Sequence, residues 1–232
     1  MEERLEKHID HLIDRYPKLI VCREDIVKAY EILEEAYSSG CKLLVSGNGG
    51  SASDSEHIVG ELMKEFKLKR KVYASISKME DGRWKSFSEV GARMVEIDPE
   101  MGTTLAENLQ GALPAICLTG HSSLTTAFMN DANADLVFAQ QVNGYGKEHD
   151  VFLGISTSGN SKNVIYAAIT AKAKGLKVIG LTGSRESKMS KLADVCIRVP
   201  ETETYKIQEY HLPVYHCLCL MLEDKFFGKD LI

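Results

Sequence analysis

Val151-Phe-Leu-Gly-Ile-Ser-Thr-Ser-Gly-Asn-Ser-Lys-Asn-Val-Ile-Tyr166 contains an apolar strand to Ile155, a small polar loop over Ser156–Ser161, and a helix from Lys162. The same order occurs upstream. Lys42-Leu-Leu-Val45 leads into Ser46-Gly-Asn-Gly-Gly-Ser-Ala52, and then into Ser53-Asp-Ser-Glu-His-Ile-Val59. A helix N-terminus offers unpaired N–H groups and a partial positive charge, so it receives anions readily. Small residues let a phosphate reach the backbone, and Ser and Thr hydroxyls add donors without net charge. One such loop reads equally as an ordinary N-cap on a tight turn. Two in a chain of 232 residues point to a phosphorylated ligand.

Outward from these loops, the pattern alternates strand and helix from residue 41. Apolar strands are expected near 42–46, 114–118, 151–155, 177–181 and 195–199, and helices near 52–65, 122–129, 161–174, 187–193 and 205–227. Such alternation predicts an α/β domain, a parallel sheet with helices on both faces, and a ligand at the carboxyl ends of the strands. Thr119-Gly-His-Ser-Ser123 and Thr182-Gly-Ser-Arg-Glu-Ser187 also follow strands, so four strand ends carry small or hydroxyl-bearing loops. Ahead of the first strand, Leu5, Ile9, Leu12, Ile13 and Tyr16 recur at helical spacing, and a second amphipathic stretch spans about 24–37. These N-terminal helices, within 1–40, are not crossovers; they suit an oligomer bundle or packing on their own domain. Residues 66–112 break the rhythm. They are rich in Lys, Arg and Glu, hold the single tryptophan, and read as an insertion with short helices of its own, one near 103–110. Its expected place is over the site or against a neighbouring subunit, the alternative being a solvated excursion.

Length and composition fit one globular domain over 1–232, with 44% hydrophobic and 26% charged residues. A net charge of −5 argues against a broad nucleic-acid surface. Six scattered cysteines without a CxxC pair read as free buried thiols. The charged N-terminus resembles no signal peptide, and no apolar run reaches membrane-spanning length, so a cytoplasmic protein is expected.

His57 and Glu61 lie four apart on the helix leaving the first loop and so share a face, with Ser53 and Asp54 just upstream. Alone, they read as a solvated pair; behind a phosphate-type loop, a catalytic or metal role gains weight. In the last helix, Ile207-Gln-Glu-Tyr-His-Leu-Pro-Val-Tyr-His216 brings a Gln and two His toward an apolar run, where polar groups need partners. Gln208 and His216 stand about 12 Å apart along a regular helix and bracket a site, unless Pro213 bends the helix or a second subunit contributes. Carboxylate and imidazole facing a sugar phosphate suit aldose–ketose isomerisation, where a base moves a proton between C1 and C2 and an acid manages the oxygens.

The two loops, the His57/Glu61 pair and the Gln208…His216 segment together resemble the sugar isomerase (SIS) domain family, within it the sedoheptulose 7-phosphate (phosphoheptose) isomerases. The likeness covers 1–65 and 114–227. It implies a five-stranded, doubly wound parallel sheet and a homotetramer with sites between subunits. The implied reaction converts sedoheptulose 7-phosphate to D-glycero-D-manno-heptose 7-phosphate without an organic cofactor, a nucleic acid or a membrane. By that resemblance Asn48, Gly49, Gly50, Ser51, Asn130, Asp131 and Gln208 contact substrate, and Ser156, Thr157, Ser158 and Ser161 hold the phosphate. Glu61 is the base and His216 the acid. In members with zinc, the ligands correspond to His57, Glu61, Gln208 and His216. Two departures stand out: the long 66–112 segment, and Lys64-Glu65-Phe66 where the family carries an arginine. Rival readings are an isomerase of another phosphosugar, a non-catalytic member that senses a sugar phosphate or binds a replication initiator, and an amino-sugar etherase or deaminase. The presence of both Glu61 and His216 favours the enzyme.

Overall fold

The computed structural model describes residues 2–70 and 83–228, with 83–89 as backbone only. Helix α1 (Glu3–Arg15) is followed by a 3-10 turn over Pro17–Cys22 and α2 (Arg23–Ser38). Then come β1 (Leu43–Ser46), α3 (Gly50–Met63), α4 (Arg83–Ile97), α5 (Pro99–Asn108) and β2 (Ala115–Cys117). The chain continues through α6 (Ser122–Asp131), α7 (Val137–Tyr145), β3 (Val151–Ile155) and α8 (Lys162–Ala173). It closes with β4 (Lys177–Thr182), α9 (Lys188–Leu192), β5 (Val195–Arg198) and α10 (Thr204–Phe227).

The five strands pair in parallel in the order β2-β1-β3-β4-β5. Chain order reverses beside β1 and β3, the position at which an open α/β sheet leaves a crevice at its carboxyl edge. Alternate strand residues divide between two cores, as the period of two requires. Leu43, Val45, Leu153, Ile155, Ile179 and Ile197 pack with α1, α2 and α10, whereas Leu44, Phe152 and Val178 meet α7 and α8. Since both faces are covered, the strands are apolar almost throughout.

All five strands form where the sequence reading puts them. Helix α10 runs unbroken through Pro213, so the proline does not break the helix between Gln208 and His216. In the 66–112 segment the expected short helix starts earlier than 103. Asp98 caps α5, accepting from the N–H groups of Glu100 and Met101, and Pro99 occupies the first turn. Residues 71–82 of that segment lie outside the described residues. Helix α7, which no sequence signal marked, fills the gap before β3 with buried Val137, Phe138 and Val142. All six cysteines are free, and burial raises the thiol of Cys22 to about 11 and that of Cys217 to about 12. Among the described residues no helix is long and apolar enough to cross a membrane.

Candidate active site

The loops after β1 and β3 meet across the reversal point. The Asn48 side-chain amide donates to Asn163 Oδ1 at 2.9 Å, and Asn163 returns a bond to Asn48 Oδ1 at 2.8 Å. This reciprocal amide pair ties the first loop to the start of α8. Gly49 enters α3 at φ 56°, a left-handed conformation that glycine adopts without strain. In the second loop Ser156 is buried and its hydroxyl lies 3.0 Å from that of Ser161, while the Asn160 N–H donates to Ser158 Oγ at 3.2 Å. Gly159 also takes a positive φ, 65°, in a turn closed by its N–H on the Ser156 carbonyl. Lys162 is exposed and no other cation stands within the loop, so its groups toward the crevice are hydroxyls and amides.

Helix α3 carries the second half of the site from this crevice toward α10. Glu61 is nearly buried, and its Oε1 lies 3.0 Å from His57 Nε2, while Oε2 accepts from Lys64 Nζ at 3.3 Å. His57 Nε2 also lies 3.5 Å from His216 Nε2, and the two rings meet edge to face with centroids 4.9 Å apart. Phe66 covers the other side of His216 at 5.3 Å. Burial, assisted by the neighbouring His57, lowers the pKa of His216, with Glu61 pulling the other way. His216 is thereby a neutral imidazole near pH 7, able both to donate and to accept a proton.

Two further side chains complete this cluster. The Tyr215 hydroxyl donates to Asp54 Oδ1 at 3.2 Å and lies 3.0 Å from His57 Nδ1. Burial raises the Asp54 carboxyl, partly offset by the Tyr215 bond and His57, and raises the Tyr215 phenol strongly. Behind Glu61, the C-terminal carbonyls of α3 are held by a buried guanidinium. Arg70 donates to Leu62 O at 2.9 Å and Glu61 O at 3.2 Å, and pairs with buried Glu223 at 2.8 Å. Glu223 also accepts from the N–H groups of Phe66 and Lys67, both at 2.8 Å.

The structure thus brings together His57, Glu61 and His216, and separately Asn48 and the 156–161 loop. Gln208 stands at the other end of the shared α3–α10 edge, where its amide packs on Gly50 so closely that a Cβ there would meet its Nε2 at 2.5 Å. Asn130 and Asp131 end α6, are exposed, and hydrogen-bond to each other and to neither loop among the described residues. Of the four zinc positions implied by the resemblance, His57, Glu61 and His216 gather while Gln208 stands apart. Among the described residues no three His, Cys, Asp or Glu side chains are disposed to hold a metal ion. His57 Nε2 faces Glu61 Oε1 at 3.0 Å and His216 Nε2 at 3.5 Å, whereas Gln208 lies two turns from His216. Sequence reading flagged Lys64 only as a departure from the family and missed Asn163, Tyr215 and the Arg70–Glu223 pair; of these, only Arg70 had a signal, the lone arginine in a lysine-rich stretch after α3.

A phosphoheptose isomerase of Aneurinibacillus thermoaerophilus is 33% identical over 236 residues, covering 100% of this chain and 98% of its own. The chain belongs to the phosphoheptose isomerase family. Another member, from Rhodospirillum rubrum, is 34% identical over 224 residues, 97% of this chain and 98% of its own. The SIS domain family model matches residues 91–183, the stretch from within α4 to the end of β4. Among solved structures, the phosphoheptose isomerase from Neisseria gonorrhoeae superposes with a TM-score of 0.68 at 30% identity, covering 96% of this chain and 98% of that one. The Francisella tularensis enzyme gives 0.69 at 26% identity.

Proposed function

We propose that the chain is an aldose–ketose isomerase acting on a seven-carbon sugar phosphate, converting sedoheptulose 7-phosphate to D-glycero-D-manno-heptose 7-phosphate. The observation that carries this reading is the convergence of a carboxylate and a neutral imidazole, Glu61 and His216, about His57 on the helix that leaves the first loop. Ser156, Thr157, Ser158 and Ser161 grip the phosphate through hydroxyls and amides, and Asn48, Gly49, Gly50, Ser51 and Gln208 line the sugar. Glu61 removes the proton from the carbon next to the carbonyl and returns it to the neighbouring carbon. His216 donates a proton to the carbonyl oxygen as negative charge develops there and recovers one from the adjacent hydroxyl. Each such group contributes about 10²–10⁴-fold when well placed. Asn130 and Asp131 face substrate only if an adjoining subunit brings another site to them, which accords with a homotetramer. Met101 and Leu105, one turn apart on α5, are exposed, as are Ile97 and Leu109 just beyond its two ends, apolar surface suited to burial between copies. The insertion reading of 66–112 within a single domain belongs to the same proposal, with α4 and α5 at that interface.

The test is turnover of a panel of five- to seven-carbon ketose phosphates by the wild type, Glu61→Gln and His216→Ala. Both variants fold and bind sugar phosphate but lose at least about 100-fold in kcat. Full activity in either would remove the acid/base assignment.

A further inference from the structure

Asn163 lies in the first turn of α8 and faces Asn48 across the reversal point of the sheet, each amide donating to the other, at 2.9 and 2.8 Å. We propose that Asn163 is a positioning residue that holds the Asn48 amide one way round, so that the first loop meets the sugar with a fixed pattern of donor and acceptor. The inference rests on the proposed function, in which Asn48 touches substrate.

A primary amide has two N–H donors and one oxygen with two lone pairs. The reciprocal pair spends one donor and one lone pair on each side, and by itself it would look the same with both amides turned over. Val164 removes that symmetry. Its N–H is one of the unpaired donors of a first helical turn, and it donates to Asn163 Oδ1 at 3.0 Å. A side-chain nitrogen in that place would set donor against donor. Asn163 Oδ1 therefore has both lone pairs in use, and the Asn48 atom that meets it is the nitrogen. Ser161, which would ordinarily cap α8, makes no capping bond with its side chain. Its hydroxyl lies 3.0 Å from that of Ser156 instead. One amide thus caps the helix of the second loop and sets the direction of the first.

Asn48 keeps one N–H and one lone pair, and among the described residues neither has a partner. The residue is exposed, and the glycines that follow it at 49 and 50 carry no side chain to cover it. Turned over, it would offer the same two groups in exchanged places. A ketose carbonyl oxygen only accepts, so the direction of the pair decides whether the N–H can meet it. An amide free to rotate would have to be ordered as substrate arrives, whereas one held by Asn163 is ordered beforehand.

Asn163→Leu removes the partner and adds no charge. We expect kcat/KM to fall about 3- to 10-fold, the worth of one neutral hydrogen bond, and less than about twofold in an Asn48→Ala background, because Asn163 acts through Asn48. Asn163→Asp keeps the acceptor for Val164, and a carboxylate suits a first helical turn, so its melting temperature should not fall. It has no N–H for Asn48 Oδ1, and its kcat/KM should fall at least as far as in the leucine variant. Proton–nitrogen NMR of the full-length protein reads the pair directly: one Asn48 side-chain N–H protected from exchange with water in the wild type, neither protected in Asn163→Leu. Wild-type kcat/KM in Asn163→Asp would show that only the cap matters and would overturn the inference. An equal loss from Asn163→Leu in both backgrounds would do the same, as would an Asn48 amide that exchanges freely in the wild type. A wild type that isomerises no ketose phosphate would instead sink the proposed function, and the exchange spectra would still decide whether Asn163 holds Asn48.

Discussion

Acid should destabilise this fold through one residue in particular. His211 lies on α10 with 0% exposure, and its ring nitrogens make no well-formed hydrogen bond, their one candidate partner being the Thr182 backbone. Burial pushes its pKa from 6.5 down to about 4, the Thr182 backbone offsetting this only in part. Between those values the unfolded chain binds a proton that the folded chain refuses, so stability falls as pH drops through 6.5 and the loss is complete below 4. From the two pKa values the loss is about 2 kcal/mol at pH 5 and approaches about 3.4 kcal/mol at lower pH. The measurement is denaturant unfolding of wild type and His211→Leu at pH 7.5 and 5.0, at one protein concentration so that assembly does not confound the comparison. At pH 7.5 the leucine variant should lie within about 1.5 kcal/mol of wild type, since no well-formed hydrogen bond is lost. Between the two pH values wild type should lose about 2 kcal/mol more than the variant. Parallel pH profiles would refute the reasoning, because every other titrating group is common to both proteins.

Arg70→Met should cost about 3–5 kcal/mol in the same unfolding assay, because Glu223 would remain buried as an unpaired charge; pairing it with Glu223→Leu should recover most of that, and a loss under about 1 kcal/mol would show the pair is not needed. Gly47 and Gly50 should respond differently to alanine. A Cβ at Gly47 would collide with the Ser51 backbone, whereas at Gly50 it meets only the Gln208 amide. Gly47→Ala should therefore lower the melting temperature, and Gly50→Ala should spare it while reducing activity. Ser156→Ala removes one neutral donor from the phosphate loop. It should weaken competition by inorganic phosphate by about tenfold, read from inhibition kinetics, with little change in melting temperature.

The sheet was legible because its strands are buried on both faces and so appear as unbroken apolar runs, each closed by a small polar loop. The pairing of His57 with Glu61 was legible because it is local, one turn of one helix. Contacts between distant segments were not. Asn163 reads as an ordinary polar residue in a first turn, and only the folded sheet sets it against Asn48, 115 positions away. Tyr215 reads as another core aromatic of α10; its hydroxyl matters because α3 places Asp54 and His57 beside it. Arg70 looks solvated in a basic stretch, yet the chain folds it beneath Phe227, with its guanidinium carbon 4.3 Å from the ring centroid. Helix α7 had no cap or wide stripe to announce it. The start of α5 did have one, Asp98 before Pro99, and reading that pair as N-cap and first turn would have located it.

The division of labour in the site follows from the cost of charge. A cationic cradle would hold a phosphate strongly, but it would also pull on the base's carboxylate and lower its basicity. In this chain the loop proposed to hold the anion, 156–161, presents hydroxyls and amides, and the ionisable groups stand apart along α3 and α10. Lys64, the cation nearest the proposed base, donates to Glu61 Oε2 at 3.3 Å and to the Glu65 carbonyl at 2.9 Å and is itself mostly exposed, so water weakens its pull. The one fixed guanidinium close by, Arg70, turns its N–H groups to the backbone carbonyls of Glu61 and Leu62 and its charge to Glu223, holding the helix end without meeting the base's carboxylate. A net charge of −5 is no obstacle to binding an anionic sugar when the grip is built from dipoles and the charges are reserved for moving protons.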